Sequence, residues 1–171
     1  MDSDSSSHNI SVLFVCMGNT CRSPMADFYF KHLIKQSNIS KMFNVYSAAV
    51  STNKLANDVC IGTQNELKKH HISYQKREPV YLTKEDCLSY DYIICMDHQI
   101  KDLVIKLGGK SIGNKVFKLL DFTNKPMDII DPEFTNDFTR TYNEISKGCN
   151  ALFNYLIFKY HIKNRKSIFV A

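Results

Sequence analysis

No run in this sequence approaches the ~18 consecutive apolar residues of a membrane span, and the opening stretch M-D-S-D-S-S-S-H-N has neither the basic nor the hydrophobic region of a secretory signal. No C-x-x-C pair occurs, which argues against a structural zinc site. Charge of one sign does not dominate: the formal net charge is +5, compatible with anionic substrates but no indication of nucleic-acid binding. Six cysteines are present, Cys16, Cys21, Cys60, Cys87, Cys95 and Cys149, but their spacing fits no small disulfide framework. They read as reduced thiols. These absences lead us to expect a soluble cytoplasmic protein with no metal, no cofactor, and no membrane or nucleic-acid partner.

What is present is enough for one domain with its own core, since the chain has 171 residues and an ordinary apolar fraction of 44%. Residues 1–9, rich in Ser and Asp, read as a disordered extension, residues 10–160 as the domain and 161–171 as a basic tail. Residues 10–15 (I-S-V-L-F-V) are apolar apart from Ser11, as a strand covered on both faces should be. Residues 43–48, 91–96 and 115–120 read as three further strands. Helical spacing recurs over 24–36, 59–70, 99–107 and 142–160, and Thr83 with Asp86 forms a capping pair. Strands alternating with helices predict a three-layer α/β fold, a four-stranded parallel twisted sheet with helices on both faces. Ligands in such sheets bind beyond the C-terminal strand ends, and Cys16 sits at one of them.

Residues 12–24, V-L-F-V-C-M-G-N-T-C-R-S-P, combine a strand, a short loop and a helix start. Ser23 stands where an N-cap belongs, with Pro24 at the first helical position. Cys16 and Arg22 are separated by five residues, enough to wrap backbone N–H groups around a tetrahedral oxyanion. Gly18 permits unusual backbone angles, and Asn19 is the next most tolerant of a left-handed turn. Arg22 offers a planar fork for two phosphoryl oxygens. A cysteine among such donors, at a helix N-terminus, is expected to act as a nucleophilic thiolate, to which Ser23 could donate its hydroxyl. A separate segment would have to supply an acid. Asp131, followed by Pro132 in a long irregular stretch over 121–138, leads over Asp128 and Asp121, although Asp-Pro also suits a plain turn.

The stretch V-C-M-G-N-T-C-R-S-P-M-A-D at 15–27 resembles the phosphate-binding loop and first helix of the low-molecular-weight protein tyrosine phosphatases. The likeness continues at Ser47-Ala48-Ala49, at His70, at T-K-E-D (83–86), at D-Y-I-I-C-M-D (91–97) and at Asp131-Pro132, so it spans about residues 10–158. It implies a metal-independent cysteine phosphatase acting on phosphotyrosine proteins or small aryl phosphates, as a monomer or weak homodimer. Cys16 would form a phosphocysteine, and Arg22 with the loop Met17, Gly18, Asn19, Thr20 and Cys21 would hold the phosphoryl group. Asp131 would serve as acid and then base, with Pro132 restraining it. The resemblance further implies that Asn19, Ser47 and His70 brace the loop, and that Cys21 forms a reversible disulfide with Cys16. Where the family typically has two tyrosines after Asp-Pro, this chain has Glu133 and Phe134, and Asn53 replaces a usual aromatic wall. Weaker stacking on a phenyl ring is expected. Arg77 reads as the structural cation of 74–82. An arsenate reductase using Cys87 and Cys95 as a relay, and a non-catalytic phosphotyrosine-binding module, are the alternatives.

Overall fold

A computed structural model describes residues 8–51 and 56–163. Most of the expected N-terminal extension, Asn53, and residues 164–171 of the expected tail lie outside the described residues. Strands β1 (Ile10–Cys16), β2 (Phe43–Ala49), β3 (Tyr92–Cys95) and β4 (Val116–Lys118) pair in parallel, in the order β2-β1-β3-β4. β1 is central, and successive residues serve opposite faces. Val12, Phe14 and Cys16 join one apolar cluster, while Leu13 and Val15 join the other. This two-sided burial is why the strand reads as a continuous apolar run.

Among the described residues, six α-helices complete the layers: α1 (Arg22–Gln36), α2 (Ile61–Lys69), α3 (Lys84–Ser89), α4 (His98–Gly108), α5 (Pro132–Thr135) and α6 (Phe138–Lys159). α1 and α6 contribute Met25, Phe30, Ile145, Leu152 and Phe153 to one cluster; α3 and α4 contribute Cys87, Ile100 and Val104 to the other. The three-layer α/β architecture expected from the alternation is therefore the one adopted. The predicted Thr83 cap also forms, with the Thr83 hydroxyl accepting the Asp86 N–H at 3.1 Å.

Several boundaries differ from the sequence reading. The fourth strand is only Val116–Lys118, because a 3-10 turn takes over at Leu119–Phe122. The last helix begins at Phe138, capped by Asp137, rather than near residue 142. Beyond Lys159 the chain still packs: Ile162 is buried and donates its N–H to the Ile157 carbonyl at 3.0 Å. The sheet order places β2 on one side of β1 and β3 on the other. The connections from the strand ends therefore diverge at the C-terminal end of β1, opening a crevice there.

Candidate active site

The loop following β1 turns its carbonyl groups outward. Cys16 and Met17 carbonyls accept N–H groups of Val50 and Ser51 at 3.2 and 3.0 Å, and the Thr20 carbonyl accepts the Cys60 N–H at 2.9 Å. The Cys21 carbonyl accepts the Thr63 hydroxyl at 3.1 Å. A planar trans peptide directs each N–H opposite to the carbonyl before it. The amides of Met17, Gly18, Cys21 and Arg22 therefore face the other side of the loop. The Asn19 N–H points at Cys16 Sγ from 3.3 Å. The left-handed turn falls on Asn19 (φ 52°), whereas Gly18 does not have a positive φ, so the amide side chain rather than the glycine carries the unusual geometry.

Ser23 does not cap a helix. α1 starts one residue before it, with Cys21 at the cap position, and the Ser23 hydroxyl lies 3.0 Å from Cys16 Sγ. The same oxygen accepts from Asn19 Nδ2 at 2.8 Å, and in its contact with the sulfur either the hydroxyl or the thiol can donate. Asn19 is fixed in turn: its Oδ1 accepts from Arg77 Nη2 at 2.8 Å and from the Val80 N–H at 3.0 Å. Arg77 also donates to Asp27 Oδ2 and Ser47 Oγ, both at 2.9 Å, and Ser47 donates to Asp27 at 3.0 Å. Asn19 and Ser47 thus belong to one hydrogen-bond network with Ser23, Arg77 and Asp27. His70 does not: its ring stacks on Tyr142 with centroids 3.8 Å apart and faces Glu66 at 3.5 Å, on α2 away from the loop. Arg77 occupies the bracing role because residues 80–82 run alongside β2, bridging Tyr81 to Ala49, and bring the preceding residues over the cradle. Asp27, deep on α1, was missed by the sequence reading; its place one helical turn beyond Ser23 on the same face was the available signal.

The Arg22 guanidinium is buried. Its Nη1 donates to Asp97 Oδ2 at 2.6 Å and to the Ile129 carbonyl at 2.7 Å, and Nη2 lies 3.4 Å from Asp131 Oδ2. The Ile129 N–H in turn donates to the Met96 carbonyl at 2.9 Å, which fastens the long loop to the end of β3. Asp131 accepts the Glu133 N–H at 3.0 Å, with Pro132 starting α5. Asp128 is engaged elsewhere. It accepts from the His98 ring, from the His98 N–H at 3.1 Å and from Lys118 Nζ at 2.9 Å. Burial raises its pKa, but the His98 and Lys118 contacts outweigh that and hold it below the usual carboxylate range. Asp121 accepts the Lys118 N–H at 3.0 Å, within the 3-10 turn. Of the three aspartates, Asp131 is the one that meets Arg22. Asp97 went unnoticed in sequence as a partner of Arg22; it ends the strand motif D-Y-I-I-C-M-D and also caps α4 by accepting the Ile100 N–H at 2.9 Å.

Cys21 does not pair with Cys16. It is disulfide-bonded to Cys60, with Cα atoms 5.4 Å apart, and Cys16 is a free, buried thiol. Reduced thiols throughout were expected; Cys21 and Cys60 depart from that because α2 carries Cys60 to the loop. Cys60 itself stands at the N-terminal cap position of α2. Its disulfide lines an open cleft of about 670 Å³ between α2 and residues 133–139, with Glu133 on the far wall. Phe134 is 87% exposed. Burial pushes the thiol pKa values of Cys87, Cys95 and Cys149 up, so these three are poor nucleophiles. Among the described residues no group of three or more His, Cys, Asp or Glu is placed to hold a metal ion.

Residues 11–164 match the profile of the low molecular weight phosphotyrosine protein phosphatase family. A low molecular weight protein-tyrosine-phosphatase PtpA of Staphylococcus haemolyticus is 34% identical over 149 residues, 86% of this chain and 94% of that protein. YfkJ from Bacillus subtilis superposes with a TM-score of 0.85 at 29% identity, covering 91% of this chain and 98% of that one. The YwlE arginine phosphatase, solved with a phosphorylated active-site serine, gives a TM-score of 0.77 at 28% identity over 90% of this chain and 100% of its own.

Proposed function

The chain belongs to the low molecular weight phosphotyrosine protein phosphatases, which are hydrolases, and on that footing we propose how its residues divide the work. Cys16 attacks phosphorus as a thiolate, forming an S–P bond as the P–O bond to the phenol breaks. Asp131 passes its proton to the departing phenolate, then takes one from the water that cleaves the phosphocysteine. Arg22 Nη2 turns from Asp131 to the equatorial oxygens, joined by the amides of the 17–22 loop. Both sets of donors bind the spread charge of the transition state better than the ground state. Met17, Gly18, Asn19, Thr20 and Cys21 form the cradle, and Ser23 steadies the sulfur. The enzyme works without metal, as a cytoplasmic protein, on phosphotyrosine proteins and small aryl phosphates.

One observation carries this reading. Cys16 Sγ, at the end of the central strand, faces the Asn19 N–H at 3.3 Å and the Ser23 hydroxyl at 3.0 Å, beside the Arg22–Asp131 contact at 3.4 Å. Turnover of p-nitrophenyl phosphate tests it. Cys16→Ser abolishes turnover, and Asp131→Ala slows it by roughly 10²–10⁴, the span of general acid–base catalysis. Near-normal turnover by Cys16→Ser refutes the mechanism, and a far smaller effect at Asp131 moves the acid role to Asp128.

A second reading, phosphoarginine hydrolysis, is supported by the likeness to the YwlE arginine phosphatase, 28% identical over 90% of this chain. A higher kcat/KM for phosphoarginine than for phosphotyrosine, in peptides of one sequence, would select it.

A further inference from the structure

Cys21 and Cys60 belong to different elements, one at the head of α1 and one just before α2, separated by 39 residues in sequence. Their approach does not depend on the bond between them. The Cys60 N–H donates to the Thr20 carbonyl at 2.9 Å. The Thr63 hydroxyl donates to the Cys21 carbonyl at 3.1 Å. These two hydrogen bonds clasp residues 20–21 against 60–63 from either side of the sulfur pair. The Cα separation of 5.4 Å lies inside the range a disulfide accepts. Reduction would therefore leave two thiols side by side, held by one backbone and one side-chain hydrogen bond, neither of which involves sulfur.

The two sulfurs differ in access. Cys21 is buried, at 4% exposure, whereas Cys60 is half-buried. Both line the open cleft of about 670 Å³. Cys16, on the other side of the loop backbone, is occupied by the Asn19 N–H and the Ser23 hydroxyl. The loop thus presents one thiol inward to the phosphate cradle and one outward to the cleft.

We propose that Cys21 and Cys60 form a dithiol–disulfide couple, a redox site separate from the phosphatase centre, which reacts with small-molecule disulfides through the cleft and leaves Cys16 as a free thiol. The Cys60 thiolate, the more accessible, attacks one sulfur of the small disulfide; an S–S bond forms to Cys60 and one small thiolate leaves. The Cys21 thiolate then attacks Cys60 Sγ and expels the second small thiolate. Overall, two protein thiols and one small disulfide give the Cys21–Cys60 disulfide and two small thiols, two electrons passing to the small molecule. Because Cys21 is already bonded outward in the oxidised protein, it is withheld from Cys16. The oxidised enzyme accordingly keeps its phosphatase activity. Only this last consequence rests on the assignment of Cys16 as nucleophile; the couple itself does not.

The test uses the full-length protein, first reduced, then equilibrated in glutathione buffers of increasing oxidised fraction. Free thiols are alkylated under denaturing conditions and peptides are mapped by mass spectrometry. The expected result is a Cys21–Cys60 linked peptide growing with the oxidised fraction, Cys16 alkylated throughout, and turnover of p-nitrophenyl phosphate unchanged. In Cys60→Ser the linked peptide disappears, while the reduced variant turns over substrate at the wild-type rate. A Cys16–Cys21 linked peptide in the oxidised wild type overturns the proposal, as does alkylation of both Cys21 and Cys60 in the most oxidising buffer. If the linkage forms as expected but neither form turns over substrate, the couple stands and the phosphatase assignment fails. Peptide mapping of the wild type needs no variant, so a Cys60→Ser protein that failed to fold would leave the test decisive.

Discussion

Replacing Arg77 with alanine should damage both stability and turnover, by separable routes. Its side chain is 21% exposed and its guanidinium serves Asp27, whose side chain is completely buried. Breaking a buried ion pair from one side costs about 3–5 kcal/mol, because the remaining charge is left without its partner. Lys31 still reaches Asp27 at 2.7 Å, which argues for the lower end, about 3 kcal/mol. For a chain of this size that corresponds to a fall in Tm of roughly 6–12 °C, at about 2–4 °C per kcal/mol. Turnover suffers through Asn19, which loses the 2.8 Å bond from Arg77 but keeps the one from the Val80 N–H. One hydrogen bond of about 1–1.5 kcal/mol, if transmitted through Ser23 to Cys16, lowers kcat by roughly tenfold. Arg77→Lys separates the routes, since a lysine keeps a charge for Asp27 but has no fork to span both partners. Its Tm should recover most of the loss while kcat stays low. Thermal unfolding by circular dichroism and steady-state kinetics measure the two. An Arg77→Ala protein that melts within about a degree of wild type, well short of the 2–4 °C per kcal/mol scale, would refute the burial argument. Full kcat in Arg77→Lys would refute the role of the fork.

Other outcomes follow from the same geometry. Asp97→Asn should lower kcat/KM by roughly 10–100-fold, since the 2.6 Å contact to Arg22 is a charged hydrogen bond of about 1.5–3 kcal/mol; unchanged kinetics would mean Arg22 needs no such anchor. The Asn side chain can still cap α4. His98 has its pKa raised, first by the Asp128 hydrogen bond and then by the Asp128 charge, with Asp97 and Asp102 adding to it; Asp128 has its own lowered overall. The histidine's contribution to stability is full below its unfolded value near ~6.5 and lost as pH rises through the raised folded value. The aspartate's contribution is present above its unfolded value near ~3.9 and lost as pH falls through the lowered one. The Tm difference between wild type and His98→Ala should therefore peak between those limits and shrink at alkaline pH, and a pH-independent difference would rule out a stabilising His98–Asp128 pair. Gly148→Ala should destabilise by about 1–3 kcal/mol, because its Cβ would lie 2.5 Å from Leu119 Cγ in the core. That exceeds the ~1 kcal/mol a helical alanine returns, so a raised Tm would contradict the packing.

Much of this protein is legible in its sequence because the relevant forces act locally. The apolar run of β1, the helical periodicity of α1, α4 and α6, and the Thr83–Asp86 cap each depend on neighbours within a few residues, and each forms as read. The loop chemistry is equally local: Cys16, the five intervening residues and Arg22 lie on one short stretch, so the cradle and its family could be recognised before any contact was known. Boundaries read less well. Ser23 looked like a cap by composition, yet a cap depends on where the preceding backbone turns, and here that turn is set by Asn19.

Tertiary structure alone decided who stands beside the loop. Arg77, Asp27 and Ser47 meet because residues 80–82 extend along the edge of β2, a pairing between segments more than 30 residues apart, and no periodicity encodes it. Asp131 could be ranked above Asp128 by motif, but only the folded chain shows Asp128 bound to His98 and Lys118 while Asp131 reaches Arg22. The cysteines make the same point most sharply. The family resemblance implied Cys16 with Cys21, whereas the fold turns the Cys21 sulfur outward, where it meets the one that α2 brings to it. Sequence determined the catalytic vocabulary through short-range spacing; long-range packing, which depends on the whole chain closing around β1, determined the partners.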